Sequence, residues 1–390
     1  MSNLQYSAAK SSRITKRSLN VSPIKKLLKS PLGHVNRLIK SKSEKQPPPK
    51  PKEQLVVTDY NVQLDYQLSK NDDVMDAVNF ILENHWAEST VLHSRYHSIP
   101  YKREMKHDME ALVFLLKGLS LTVKAEVIKY RLTQLPTGLI TTSQLYSIYE
   151  HQGHTFVDRS VEIKIRQGKL RKFVISNASP VILRSVNKYQ HGKVTYGFEN
   201  MEIIAKADVY IQLVKNEIKN MEQELKSCGS QAETARKQVQ LDGLNKYLQF
   251  VINNPTALYI NNDDKFSKDE LSNLLSVGLV TLTSNHLNEI ESHQYSISYP
   301  ACGTFLKLIN AGRVWLVKLL SKASYKESLE EQLFNKWESF NLNGDSKMNN
   351  FRKPFYGYDL NWVLADALGA GVIEVFNTPV GRGWRLTGKV

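Results

Sequence analysis

The order of hydrophobic and polar residues repeats one unit three times: a short helix, a glycine, and an apolar strand. The three copies cover 158–175, 267–283 and 359–376. The helices end near Gly168, Gly278 and Gly371, and glycine suits these positions because it takes the left-handed conformation without a Cβ clash. Three similar copies predict three domains of one kind.

Two local signals set the helix starts. Ser267 and Glu270 match a capping box, in which each side chain pairs with a free backbone N–H of the first turn. In the first copy Val161, Ile163 and Ile165 alternate as in a strand, but Asp158 as a cap and the glycine stop favour a helix.

Further elements surround each copy. Helices are predicted ahead of the copies at 107–117, 141–150, 238–252 and 325–337, and second strands are predicted at 295–299 and 384–386. Helices followed by a short hairpin are typical of a winged helix. We therefore predict a mainly helical α+β fold with three tandem winged-helix domains.

Two more helical patterns lie outside these copies. Residues 72–85 read as one amphipathic helix. Apolar residues recur at heptad spacing over 207–225 and again over 241–251. This spacing suits a helical hairpin within the chain or a coiled-coil dimer, and the hairpin is the commoner outcome.

These patterns divide the chain into six segments. We expect a disordered basic tail over 1–53, a partly helical extension over 54–104, winged helices over 105–205, 236–322 and 323–390, and a long helix or linker over 206–235. A proline run at 47–51 supports the end of the tail, because proline cannot continue a helix.

Charge changes the picture by its position more than by its total. The formal net charge is +14, yet residues 1–50 hold 12 Lys and Arg against Glu44 alone. The tail therefore carries +11, and the rest of the chain carries only +3. The basic clusters of the tail could serve nuclear import, bind phosphate or remain solvated. They are formed by Arg13, Lys16, Arg17, Lys25, Lys26 and Lys29.

Two windows of the folded part, 163–198 and 292–326, contain no acid. The predicted DNA contacts of the first window lie on the predicted recognition helix and the start of its wing: Lys164, Arg166, Lys169, Arg171 and Lys172. Those of the second are Arg313, Lys318, Lys322 and Lys326, and the third copy adds Arg382 and Arg385.

The last three lysines of the second window stand at i, i+4 and i+8, so they are predicted to line one helix face. Like charges at that spacing repel by a few tenths of a kcal/mol, which phosphates would relieve. The alternative is a solvated face. Phosphate contacts read little base sequence, so salt-dependent, weakly selective binding of double-stranded DNA is expected, with RNA an open possibility.

Signals for other classes are poor. Kinase loop motifs are absent, and the P-loop-like stretch 383–389 is followed by Val390 where Ser or Thr would hold magnesium. The ten histidines and two cysteines lack metal-ligand or disulfide spacing, and no apolar run is long enough for a membrane span. We predict no enzyme activity, no cofactor, no metal, no membrane association and an intracellular location.

Several stretches resemble a known family. They are 274–282 (LLSVGLVTL), 299–307 (YPACGTFLK), 323–327 (ASYKE), 358–360 (YDL), 368–372 (LGAGV), 145–147 (LYS) and 167–171 (QGKLR). Over 105–390 the chain resembles the family named serine/threonine-protein kinase 19, whose members are tandem winged helices without kinase motifs.

That resemblance implies a nuclear, chromatin-associated DNA-binding protein. It implies a scaffolding role in transcription-coupled nucleotide excision repair, between stalled polymerase and the repair helicase complex, and it leaves homodimers possible. The family's DNA-contacting surface would fall on Arg313, Lys318, Lys322 and the stretch 166–172. Residues 54–104 have no counterpart in the family, and the 207–252 hairpin is longer here.

Two other functions stay open on the sequence. The wings could contact protein, as in an interaction subunit of a transcription machine, or the chain could be a serine/threonine kinase, as the family name suggests.

Overall fold

The computed structural model describes residues 66, 68, 73–97, 108–176, 200–227, 231–260, 266–282, 295–340 and 346–388. All of them belong to one unit, residues 56–390. The tail residues with predicted import or phosphate-binding roles lie outside this part of the chain. In the described part, no helix combines the length and the apolar character needed to cross a membrane.

Eleven α-helices are described. They are α1 (Val74–Asn84), α2 (Met109–Leu115), α3 (Leu121–Thr133), α4 (Thr142–Ile148), α5 (His154–Arg166), α6 (Ala207–Lys226), α7 (Gln231–Asn253), α8 (Lys268–Val277), α9 (Cys302–Ser321), α10 (Glu330–Glu338) and α11 (Leu360–Gly369). Short 3-10 helices cover Glu150–Gln152 and Asn349–Phe351.

Nine described strands form three small sheets. They are β1 (Leu139–Thr141), β2 (Leu170–Ser176), β3 (Asn200–Lys206), β4 (Tyr259–Ile260), β5 (Val280–Leu282), β6 (Tyr295–Ile297), β7 (Glu327–Leu329), β8 (Ile373–Thr378) and β9 (Gly381–Leu386). The fold is therefore mainly helical α+β, which confirms the predicted class at this level.

All three sheets share one topology. Their orders are β1-β3-β2, β4-β6-β5 and β7-β9-β8, so the last strand of each copy is central and antiparallel to both neighbours. The first and third sheets have two α-helices between their first and second strands, and the second sheet has one in the described part.

The capping signals in the sequence correspond to real contacts. The Ser267 hydroxyl accepts a hydrogen bond from the Glu270 N–H at 3.2 Å, and the Glu270 carboxylate accepts one from the Ser267 N–H at 2.6 Å. Gly278 ends α8 with φ +80°, and Gly371 follows α11 with φ +68°. The predicted capping box and glycine stops are confirmed at these positions.

The first repeated helix starts earlier than predicted. It begins at His154, with Gly153 as its N-cap at φ +78°, so Asp158 lies inside α5. The carboxylate of Asp158 instead accepts a hydrogen bond from the Tyr146 hydroxyl at 2.6 Å, and the Tyr146 ring stacks on His154 with centroids 4.1 Å apart. The choice of helix over strand for this segment was right.

The row of three lysines is interrupted. Helix α9 ends at Ser321 and Lys322 is its C-cap, whereas Lys326 has φ +58° in the turn before β7. The prediction that Lys326 continues one helix face is therefore wrong, because the chain leaves the helix axis at Lys322. The predicted 325–337 helix likewise starts only at Glu330, after β7.

The heptad pattern forms a hairpin within the chain. Helices α6 and α7 pack against each other, and the hydroxyls of Tyr210 and Tyr247 lie 2.7 Å apart in the interior. Tyr210 also donates to the carbonyl of Ser298 at 3.0 Å, which ties the hairpin to the second sheet.

The first and third copies meet through helices α4 and α11. A Cβ on Gly369 would lie 1.8 Å from the carbonyl oxygen of Ser143, so only glycine allows this approach. Every residue of α11 except Asn361 is buried. The hydroxyl of Thr141, just before α4, donates to the buried carboxylate of Asp366 at 2.7 Å. Helix α11 is thus an interior element.

Residues 73–97 fill the junction beside these helices. Glu88 forms a buried ion pair with Arg131 of α3, and the indole N–H of Trp362 donates to the carbonyl of Asn84 at 2.9 Å. His93 lies 2.5 Å from the buried Asp359 carboxylate. The segment is therefore integral to the core.

Candidate nucleic-acid interface

The outward face of α9 and of its C-cap carries three exposed lysines. Lys307, Lys318 and Lys322 are exposed, and the helix sequence contains no acid. Steps of 11 and 4 residues keep these side chains within about 60° of one another on a helix with 3.6 residues per turn. Across 15 residues they extend over about 22 Å.

In the described part of the chain, these ammonium groups have no acidic partner. Within the part that the structure describes, no carboxylate forms an ion pair with Lys307, Lys318 or Lys322. Unpaired like charges repel each other modestly, so the face is poised to attract an anionic partner. We call these three residues the α9 lysine face.

A well-ordered turn continues this surface. The N–H of Lys326 donates to the carbonyl of Ala323 at 3.1 Å, and the Lys326 carbonyl accepts from the N–H of Leu386 at 3.1 Å. These bonds hold the turn against β9. Within the turn, Tyr325 is 82% exposed and Lys326 is also exposed.

Arg313 lies on the opposite, buried face of the same helix. Its guanidinium forms a two-bond ion pair with the Asp366 carboxylate of α11. The side chain is 3% exposed and its partner 0%. The predicted phosphate contact of Arg313 is corrected, because its charge is neutralised inside the core.

Arg171 is also an interior residue. Its guanidinium donates to the carbonyls of Val251 and Ala257 at 3.1 and 3.3 Å, which joins β2 to the end of α7. Burial lowers the pKa of Arg171 from its usual range. The predicted phosphate contact of Arg171 is wrong for a different reason: its buried guanidinium is hydrogen-bonded to backbone carbonyls.

The other cations of the first window are mostly paired with nearby acids. Lys164 pairs with Asp73 at 2.5 Å, Arg166 with Glu162 at 2.9 Å, and Lys172 with Glu202 at 2.7 Å. Lys169 is exposed on the turn between α5 and β2.

A cavity of about 360 Å³ beside α5 has mixed charge. Its charged lining residues are Asp158, Arg159, Glu162, Lys172 and Glu202. Three carboxylates against two cations make this surface less attractive to a polyanion than the α9 lysine face.

The arginines of the third copy differ from each other. Arg382 pairs with Glu330 at 2.9 Å in a cavity of about 180 Å³, and burial lowers the pKa of Arg382 to about 10. Arg385 is exposed on β9 and pairs with Glu374 at 2.5 Å. Neither arginine joins the α9 lysine face by a described contact.

Two residues of the interface were not among the predicted contacts. Lys307 lies in the acid-free window, but the start of its helix is hard to predict because Ala301, the N-cap, takes φ +58° without a capping side chain. Tyr325 gave no periodic signal, since it belongs to a turn. The three lysines at 318–326 around Tyr325 were the sequence signal that could have indicated its place in the interface.

Metal chemistry has no visible centre here. Among the described residues, no cluster of three or more His, Cys, Asp or Glu side chains could hold a metal ion. The P-loop-like stretch runs through β9 rather than preceding a helix, so it cannot cradle phosphate in the P-loop manner.

Comparison with known proteins gives the family. A family model described as inactive serine-threonine protein kinase 19 matches residues 109–386. The chain therefore belongs to this family, which confirms the resemblance read from the sequence. Helix α1 and the rest of 73–97 lie before the matched region.

A curated relative is known from Schizosaccharomyces pombe. It is named serine/threonine-protein kinase mug51 and is 32% identical over 144 residues. The match covers 37% of this chain and 42% of the relative. The two names differ on activity, because the family is described as inactive whereas the relative is called a kinase.

Proposed function

We propose that this protein is a non-enzymatic DNA-binding protein built from three winged-helix modules. The first and third copies support this by their order of helix, strand, two helices and hairpin, which is typical of the winged helix. The second copy has the same sheet order with one described helix fewer before the hairpin.

The modules do not contribute equally to the proposed binding. Helix α11 corresponds to the helix that usually enters the major groove, but its burial against α4 leaves it no access to DNA. Helix α5 of the first module is partly exposed, although its cations Lys164 and Arg166 are paired with acids. Helix α9 directly precedes β7, so we assign it to the third module as its first helix, whereas the sequence pattern placed residues 302–321 in the second winged helix. The third module therefore acts through the outer face of α9.

The α9 lysine face is the single observation that carries the proposal. Three exposed ammonium groups over about 22 Å, with no ion-pair partner among the described residues, match the spaced negative charges of a nucleic-acid backbone. Contacts to phosphate fix position but carry no base information directly. We therefore expect binding to DNA with weak sequence preference.

Charge reversal tests the proposal. Lys318→Glu combined with Lys322→Glu should weaken binding to a 20-bp duplex at least tenfold in fluorescence anisotropy. The matched control is Lys215→Glu with Lys219→Glu, which makes the same charge change on exposed positions of α6. Equal affinity of the two variants would overturn the proposed interface and favour a protein-interaction role for the modules.

Location and pathway are proposed on family membership. We propose a nuclear protein that acts in transcription-coupled nucleotide excision repair, with transcription and repair proteins as partners and with homodimers possible. Imaging of the tagged full chain, with and without the six basic tail residues replaced by alanine, tests the nuclear part. A cytoplasmic wild-type protein would contradict it.

The absence of kinase activity is part of the proposal. The family description supports it, and the name of the yeast relative is the reason to test it. Highly purified full-length chain should transfer no radiolabelled phosphate from ATP to itself or to a generic substrate. Transfer that persists through successive purification steps would show a kinase.

A further inference from the structure

We propose that Tyr325 is a stacking site for an unpaired nucleobase, so that the turn 322–326 binds single-stranded nucleic acid. This inference rests on the proposed function and deepens it. The α9 lysine face supplies backbone attraction, and the tyrosine adds a preference for unpaired strands over duplex.

The exposure of Tyr325 is the first observation. At 82% it is the most exposed aromatic side chain in the described part of the chain, ahead of Phe114 at 51%. No described aromatic ring stacks on it and no described cation lies over it. A large apolar ring left in water gains free energy when a flat partner covers it.

The backbone hydrogen bonds that hold the turn are the second observation. Lys322 N–H donates to the carbonyl of Leu319 at 3.3 Å, and two further backbone bonds hold Lys326 to Ala323 and to Leu386. Because the backbone beneath the ring is already fixed, stacking immobilises little besides the tyrosine side chain itself. Low ordering cost favours binding.

The charges around the ring are the third observation. Lys322 and Lys326 stand three residues before and one residue after Tyr325, and Lys318 lies one helical turn further back. The nearest acid in sequence, Glu327, stands opposite Arg385 across the β7–β9 pair. An aromatic ring among lysines is the arrangement by which proteins bind single strands, with phosphates on the cations and bases on the ring.

The geometry favours an unpaired base over a duplex. Within a duplex both faces of each internal base are already covered by neighbouring base pairs. A tyrosine can therefore stack on such a base only if the duplex is locally opened. A single strand offers that face without this cost. Single-stranded DNA and RNA share this chemistry, and the experiment separates them.

The test compares four nucleic acids that differ in the presence of bases, in the sugar or in pairing. Fluorescently labelled dT15, U15, an abasic 15-mer with the same phosphates and a 15-bp duplex are titrated with full-length protein. Tyr325→Ala should weaken dT15 or U15 binding about 5- to 160-fold, the range for loss of one base–aromatic stack. Abasic and duplex binding should change less than about twofold.

Two further variants serve as controls. Tyr325→Phe keeps the ring and should retain the single-strand affinity. Val380→Ala removes another apolar side chain, 79% exposed in the turn between β8 and β9, and should have no effect. If Tyr325→Ala weakens binding to one of dT15 and U15 more than to the other, that nucleic acid is the one whose bases the tyrosine stacks on more strongly.

The outcomes separate this inference from the proposed function. Normal duplex binding with unchanged dT15 and U15 affinity in Tyr325→Ala would overturn the stacking site alone. An equal loss on the abasic strand would also overturn it, because bases would then be irrelevant. A wild-type chain that binds none of the four ligands would overturn both.

Discussion

Breaking the buried ion pair between Glu88 and Arg131 should be far more damaging than breaking a surface pair. Their side chains are only 2% and 1% exposed. Arg131 also donates two hydrogen bonds to the carbonyl of Tyr356, at 3.0 and 2.7 Å, and its guanidinium lies 3.7 Å from the centroid of the Trp86 ring. The pair thus joins 73–97, α3 and the loop before α11.

The size of the effect follows from what Glu88→Ala leaves behind. The guanidinium keeps its charge in the interior without a counter-ion, and removal of one partner of a buried pair costs about 3–5 kcal/mol. Loss of the stem of Glu88 adds a small cavity. We expect a decrease of at least about 3 kcal/mol in the free energy of unfolding.

Urea denaturation monitored by circular dichroism measures this decrease. The control is Glu162→Ala, which breaks the pair with Arg166 on the surface of α5, where the side chains are 46% and 71% exposed. Such exposed pairs contribute about 0–1 kcal/mol. If Glu88→Ala cost no more than Glu162→Ala, residues 73–97 would not be the integral part of the core described above.

Two further predictions concern packing and pH. Gly369→Ala should destabilise the protein by about 1–3 kcal/mol or more, since the new Cβ meets the Ser143 carbonyl, whereas Gly303→Ala, with open space around it, should be neutral or slightly stabilising in thermal melts. Equal melting temperatures for the two variants would refute the close α4–α11 contact. Burial, reinforced by the charge of Arg131, lowers the pKa of His85 to about 3 from its ordinary 6.5. The unfolded chain therefore binds the proton more readily, so this contribution to stability is complete above pH 6.5 and falls by about 1.4 kcal/mol per unit as the pH drops toward 3. His85→Gln should flatten the pH dependence of urea midpoints between pH 6.5 and 5; an unchanged slope would count against an imidazole held neutral in the folded protein.

Local chemistry explains what the sequence made predictable. The repeated helix, glycine and strand depend on capping and left-handed turns within a few residues, as at Ser267 and Gly278, so they could be read without tertiary information. The hairpin of α6 and α7 was also predictable from local sequence, because the heptad spacing of apolar residues shows which face of each helix is buried.

Long-range packing explains what the sequence did not reveal. Arg171 and Arg313 looked like surface cations because their partners, the carbonyls near 251–257 and the Asp366 carboxylate, lie 53 or more residues away. The burial of α11 depends on a contact between Gly369 and Ser143 across more than 200 residues. Tyr325 was overlooked because a turn residue has no periodicity.

The central claim is that the α9 lysine face binds nucleic-acid phosphates, and the salt dependence of DNA affinity tests it most directly. The affinity for a 20-bp duplex should be measured between 50 and 200 mM salt for the wild type and for Lys307→Gln, Lys318→Gln and Lys322→Gln combined. Each phosphate contact contributes about −0.9 to the slope of log affinity against log salt. We expect the triple variant to lose about two to three units of slope. A flat wild-type slope, or an identical slope in the variant, would contradict the claim.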